Sequence, residues 1–377
     1  MSQPFAKLPL WADYGLIPLI NLVFAFLIAG LVVLIVGENP LHAAVLMLDG
    51  AFGSGEGIAY TLYYATNFIF TGLSVAVAYH CGLFNIGSEG QAYIAGLGVA
   101  AVCLVFDHVL PWWLTFPLAI LAAAAVGALW ALVPAWLQAV RGSHVVITTI
   151  MFNYIAASIM VYFLVDVLKP ATSMAPQTRD FVAGARIPGM GWLMQLLGFK
   201  VRYAPFNITF LLALAVAFLV WVLIWRTRLG YEMRTMGFSP RAARYAGISH
   251  VRMIIIAMTL SGALAGLMAL NPVMGAQHRL QLDFVAGAGF VGIAVALMGR
   301  SHPLGIVLAS VLFGMLYQGG AEIAFEMPNI SRDMIVIIQG LVILFAGAME
   351  HLFRPAVITV FRRLAPGGSP GQAAEAA

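Results

Sequence analysis

Charge is what this chain has least of. Its 377 residues include 19 lysines and arginines and 15 aspartates and glutamates, 9% in all. A soluble domain carries about 25%. So little charge cannot cover a globular surface, which excludes an ordinary soluble protein. Cysteine is nearly absent too. Cys81 and Cys103 form no CxxC, so no disulfide framework or thiolate metal site is expected. Only three lysines occur, Lys7, Lys169 and Lys200, and none follows a glycine. The phosphate-binding pattern GxxxxGK[ST] is therefore missing, and the chain is not expected to hydrolyse ATP by a P-loop. There is no HExxH, no GxSxG and no Cys/His cluster at metal spacing, so no catalytic residue, metal or cofactor is expected in this chain. His80, His144, His250 and His302 fall near expected helix ends, where capping or interfacial roles suit them.

What fills the space is apolar. Hydrophobic residues make up 62% of the chain and mean hydropathy is +0.96. The apolar runs are about 20 residues long, the length of a membrane-spanning helix, where a barrel strand would alternate over about 10. The chain reads as an all-α polytopic membrane protein. About ten spans are expected, near 16–37, 58–79, 91–109, 114–138, 145–168, 206–225, 253–271, 285–299, 304–321 and 332–350. A lead at 1–15 and a tail at 351–377 flank the membrane domain 16–350, and the Gly/Pro/Ala-rich stretch after Arg363 reads as disordered.

Basic residues orient the spans. With the N-terminus inside, 12 of the 19 lie on the cytoplasmic side, from Lys7 and Arg141 through Arg226–Arg252 and Arg300 to Arg363. The other 7 are Lys169, Arg179, Arg186, Lys200, Arg202, Arg279 and Arg332, and five of these share the loop 169–205. Both termini are expected in the cytoplasm and 169–205 outside. This placement explains the basic pI without nucleic acid, with membrane lipid as the surroundings. The four spans before the loop 169–205 and the last four would run in opposite senses, which allows an inverted repeat of the kind found in transporters.

One cytoplasmic loop is substantial, 226–252. Ser239 suits an N-cap, Pro240 the first helical position and Gly247 a stop, bracketing a helix of about seven residues. A helix so short needs something to dock on. Arg241, Arg244 and Tyr245 among small alanines suit insertion into another protein, while a basic loop resting on anionic headgroups is the competing reading.

Polar groups inside the spans are few. Tyr60, Tyr64, Asn67, Asn85, Ser88, Glu89, Gln91 and Asn153 are candidates for a translocation path. Thr148, Thr149 and Tyr154 lie near Asn153 on the same expected span. Each has a structural alternative. Asn67 and Asn153 can bond neighbouring helices, Glu89 can cap the amides that begin its own span, and the tyrosines can form an interfacial belt. Gly82, Gly87 and Gly90 permit a sharp break between the second and third spans. Acidic residues otherwise keep to loops and span ends, which argues against an ion-coupled secondary carrier, the rival from another class.

Three stretches carry a resemblance: "GLFNIGSEGQ" (82–91), "GFVGIAVALMGRSHPLG" (289–305) and "MRTMGFSPRAARYAGIS" (233–249). Together they resemble the permease subunit of bacterial ATP-binding-cassette importers, in the branch serving monosaccharides, branched-chain amino acids and nucleosides. The "NIGSEGQ" form is most similar to nucleoside or simple-sugar permeases. The resemblance covers about 20–350. It implies a second related permease chain, two ATPase subunits carrying ATP and Mg, and an extracytoplasmic substrate-binding protein, all at the bacterial inner membrane. It also implies that Ser239, Pro240, Arg241, Arg244, Tyr245 and Gly247 belong to a coupling helix that meets the ATPase. Nucleoside import is the expected function, with a monosaccharide or branched-chain amino acid as the alternative cargo.

Overall fold

The computed structural model describes residues 17–348 except 172, 197, 200 and 202–204. The expected lead, the tail from 351, and Lys7, Lys200, Arg202, Arg354, Arg362 and Arg363 lie outside the described residues, as does the side chain of Arg332.

The helices are α1 (Ile17–Ile35), α2 (Pro40–Phe52), α3 (Gly55–His80), α4 (Ser88–Phe106), α5 (Trp112–Arg141), α6 (Val145–Tyr162), α7 (Gly191–Leu196), α8 (Thr209–Arg226), α9 (Arg228–Phe238), α10 (Pro240–Tyr245), α11 (His250–Leu267), α12 (Ala288–Met298), α13 (Pro303–Glu326) and α14 (Arg332–Ala348). Wide turns at Phe163–Val167 and Asn271–Ala276 extend α6 and α11. Among the described residues there is no strand, only the isolated bridges Gln177–Gln281 and Gly189–Asn207.

Among the described residues, seven helices are long and apolar enough to span a membrane, or eight if α1 and α2 form one broken span. This count does not confirm the sequence expectation of about ten, and particular elements account for the difference. The chain turns at Gly37, whose φ is +90°, and starts a separate helix at Pro40. The expected span 285–299 is α12, whose 11 residues rise about 16 Å against a hydrocarbon core of about 30 Å. In 332–350 the helix is α14, whose 17 residues rise about 26 Å.

The described residues divide into two compact units. In the smaller, formed from the two ends of the chain, α1 packs on α14 and Asn329 donates to Glu38 at 2.7 Å. The larger, 45–323, holds the rest. Its core is α3, the most buried span. Backbones approach closely where side chains vanish. A Cβ on Gly127 would strike the backbone of Gly262, and one on Gly266 the backbone of Ala123, so α5 and α11 meet along a small-residue seam. α3 and α12 run parallel: Gly292 packs on Thr71, and nine residues later Ser301 lies beside His80.

The larger unit has two ends. α8 runs about 27 Å between them. Asn207, just before α8, bonds Asn271 at the long-loop end, and Trp225 in its last turn meets His80 at the α9–α10 end.

Candidate functional site

The break between α3 and α4 does not stay at the surface. The Ser88 hydroxyl lies 2.9 Å from that of Ser74, six residues before the end of α3. α4 therefore begins about 9 Å inside α3's terminus. Gly82 (φ +74°) permits the turn that sends the chain back. Irregular backbone at that depth must find its partners inside the protein, and side chains supply them. Asn85 donates to Gln91 Oε1 (2.9 Å) and Ser261 Oγ (2.7 Å), and its own Oδ1 accepts from Gly87 N–H (2.9 Å) and Gln91 Nε2 (3.2 Å). Ser261 in turn donates to the Ser74 carbonyl at 2.7 Å. Asn85, Ser88, Gln91, Ser74 and Ser261 are all buried, so this clasp leaves no room for a ligand.

Asn153 of α6 closes the clasp from outside. It donates to the Ile86 carbonyl at 3.0 Å and accepts from Gly90 N–H at 2.9 Å. A Cβ at Gly90 would collide with Asn153, which is why glycine stands there. Glu89 caps a helix, though not the one it stands on. Its carboxylate accepts from Gly287 N–H (2.9 Å) and Gly289 N–H (2.7 Å), the free amides that open α12.

Asn67 belongs to a second chain of amides. Asn271 donates to its Oδ1 at 2.7 Å and to the Tyr63 carbonyl at 3.0 Å. Asn207 and Thr209 both donate to Asn271 Oδ1, at 2.8 and 2.9 Å. Tyr64 is half-buried, its ring 5.7 Å from Tyr317. Tyr60 is half-buried one turn earlier on α3.

The outward face of α6 is different. Tyr154, Ser158 and Tyr162 repeat every four residues, so they share one face. Tyr154 is 69% and Tyr162 57% exposed. With Ile155, Ile159 and Phe163 they line an open groove of about 500 Å³. Two phenolic hydroxyls facing hydrocarbon would lack partners, so this face suits water, a polar solute or another protein.

At the α9–α10 end the local structure follows its cues. Ser239 Oγ accepts from Ala242 N–H (3.3 Å), Pro240 opens the helix, and Gly247 (φ +78°) stops it. Of the six residues in α10 only Ala243 is buried. Arg241 and Arg244 are exposed, Tyr245 is 97% exposed, and Phe238 just before the cap is 94% exposed.

The long-loop end is clamped. Arg179 grips the buried Asp107 carboxylate with two donors, at 2.6 and 2.9 Å, and Val182 N–H adds a third. Burial alone would raise the Asp107 pKa, but the Arg179 pair and the amide outweigh it and hold the carboxyl below its ordinary value. Thr178 and Phe181 donate backbone N–H groups to the Leu280 and His278 carbonyls at 2.9 and 2.7 Å.

Residues 57–347 match the family described as the branched-chain amino acid transport system / permease component. The chain belongs to this family. The permease is 32% identical over 363 residues to the glucose ABC transporter permease protein TsgB13 of Haloferax volcanii, covering 96% of this chain and 94% of that one. It is 33% identical over 334 residues to the guanosine ABC transporter permease protein NupP of Bacillus subtilis, covering 88% and 93%. A second permease protein of that bacterium, NupQ, is 30% identical over 266 residues, covering 67% and 78%. Subunits of this family are not themselves enzymes, and paired relatives such as NupP and NupQ support a second permease as partner.

Sequence reasoning singled out the 82–91 motif of this permease but not its distant partners. Ser74, Ser261, Asn207 and Asn271 are isolated polar residues in apolar runs, and nothing local pairs them. Ser158 and Tyr162 were legible in principle, through their four-residue spacing from Tyr154.

Proposed function

We propose that this permease serves an ATP-driven importer of nucleosides and moves its cargo along the outward face of α6, against the matching face of a second permease chain. The observation that carries the reading is the Tyr154–Ser158–Tyr162 face. Two aromatic rings two turns apart offer stacking surfaces, and their hydroxyls offer hydrogen bonds to ribose or base. The buried residues around Asn85 act in this reading as the frame that holds α4, α6 and α11 in place. Tyr64 and Glu89 act as supports rather than contacts. The likeness to NupP favours a nucleoside. The likeness to TsgB13 favours a monosaccharide as the second reading, since a sugar also stacks on tyrosine.

α10 is the docking element for partner ATPase subunits, which bind the ATP and Mg. Arg241, Arg244 and Tyr245 of α10, with Phe238 at the end of α9, are the contact residues, and an aromatic and arginine set so exposed has the composition of an interface. That end then faces the cytoplasm of the bacterial inner membrane, and the clamped long loop faces the substrate-binding protein.

The test is uptake by the assembled transporter in liposomes, with ATP supplied to the ATPase side. Labelled guanosine should accumulate, and unlabelled nucleosides should compete where glucose does not. Uptake of glucose that nucleosides leave untouched would overturn the cargo. Accumulation driven by a proton gradient without ATPase subunits would overturn the mechanism.

A further inference from the structure

α12 is held at both ends by side chains from other helices, and its own length is packed with glycine against a neighbour. At its start Glu89 of α4 receives the Gly287 and Gly289 amides. At its finish the Ser301 carbonyl sits 3.0 Å from His80 Nε2, in the last turn of α3. The His80 ring stands edge-on to Trp225 at 5.2 Å, and Trp225 also meets His302 at 4.9 Å. Trp225 lies two residues before Thr227, which caps α9, and α9 leads directly into α10.

The backbone on either side of α12 is in the left-handed region. Ala286 (φ +48°) and Gly287 (+78°) precede it, and Arg300 (+52°) and Ser301 (+53°) follow it. Non-glycine residues adopt this conformation at a cost and only where their surroundings impose it. Upstream, His278 (+54°) and Asp283 (+57°) continue the pattern through the segment that pairs with 178–181. Asp283 N–H also donates to the Tyr93 hydroxyl at 3.0 Å. Between these ends α12 slides close to α3 and α4. A Cβ on Gly292 would strike Thr71, one on Gly289 the backbone of Glu89, and one on Gly299 the backbone of Ile306.

We propose that α12 is a rigid link about 16 Å long that joins the α9–α10 end to the clamped long loop, with Glu89 and His80 as the positioning residues at its two ends. A shift of α9 reaches Trp225 and His80, moves the Ser301 turn, and carries α12 lengthwise. Its amide end then presses or releases Glu89 and the strained 278–287 segment. The short helix and its two left-handed joints form a discrete element that two distant sites bias together. Its part in transport rests on the importer reading above; the mechanical link itself does not.

Hydrogen–deuterium exchange of the purified full chain in nanodiscs tests it. Glu89→Gln keeps the volume of the side chain and removes one acceptor. It should speed exchange about tenfold at 287–290 and also at 299–302, though no contact there is altered. His80→Phe keeps the ring against Trp225 and removes the bond to Ser301. It should speed exchange at 299–302 and, reciprocally, at 287–290. A response confined to the altered end, or absent from both, would overturn the link. Should Glu89→Gln fail to fold, the distal response to His80→Phe decides alone. In the assembled importer Glu89→Gln should keep ATP hydrolysis while uptake per ATP falls about tenfold. Unchanged uptake per ATP would overturn the role in transport. A chain that imports no nucleoside yet shows the two-ended response sinks the proposed cargo and leaves the link standing.

Discussion

In the clasp around Asn85, each amide and hydroxyl is buried and each has a partner within the chain. On the outward face of α6, Tyr154 and Tyr162 are more than half exposed on a helix long and apolar enough to span a membrane. Both regions put polar groups into a membrane domain, but their accounts close differently. The clasp balances its bonds internally, so its residues have nothing left to offer a solute. The α6 face leaves its hydroxyls to be met from outside. An intramembrane polar residue is therefore a candidate contact only after its internal bonds have been counted.

Removing one member of the clasp should give the largest effect. Asn85→Leu leaves the Gln91 amide and the Gly87 N–H without partners in a dry interior and takes from Ser261 the donor it accepts from. A loss of about 2–4 kcal/mol is expected. Thermal unfolding in detergent and the yield of folded protein report it, and unaltered stability would collapse the contrast between the regions. Arg244→Glu comes next. It reverses a charge on the exposed α10, so ATP-driven uptake should fall about tenfold or more through weaker ATPase assembly, with the melting temperature unmoved. Co-purification of the ATPase reads the assembly.

Tyr154→Ala should cut uptake by about three- to tenfold, and the double change with Tyr162→Ala by more, again without loss of stability. Equal losses of stability and uptake would mean that the α6 face is built like the clasp. The smallest effect concerns Asp107. Its carboxyl is held below its ordinary value in the folded chain, so the stability it contributes is present above the unfolded value of about 3.9 and is lost as pH falls through the folded value. Asp107→Asn should flatten that acid limb and cost about 1–2 kcal/mol at neutral pH. Melting temperatures between about pH 6 and 3 measure it.

The general architecture was legible because hydropathy and length constrain spanning helices strongly. α10 was legible because its signals are local: Ser239, Pro240 and Gly247 lie within nine residues. The span count was not, since α12 is as apolar as a full span and differs only in where Gly287 and Gly299 end it. The work of Glu89 was half legible. A carboxylate among glycines signals a helix cap, but the capped amides lie 198 and 200 residues further along. No local pattern joins such distant partners.

The bond from Asn85 to Ser261 spans 176 residues of chain. At a synthesis rate of about 5–20 residues per second, roughly 9–35 s separate the emergence of the two partners from the ribosome. During that interval α3 and α4 are in or near the bilayer with the Asn85 amide unanswered by Ser261 of α11. The first helices of this chain are thus committed to the membrane before the residue that completes their packing exists. Nascent chains stopped short of Ser261 should be open to proteases that longer ones resist, which makes the arrival of α11 a checkpoint in the protein's biogenesis.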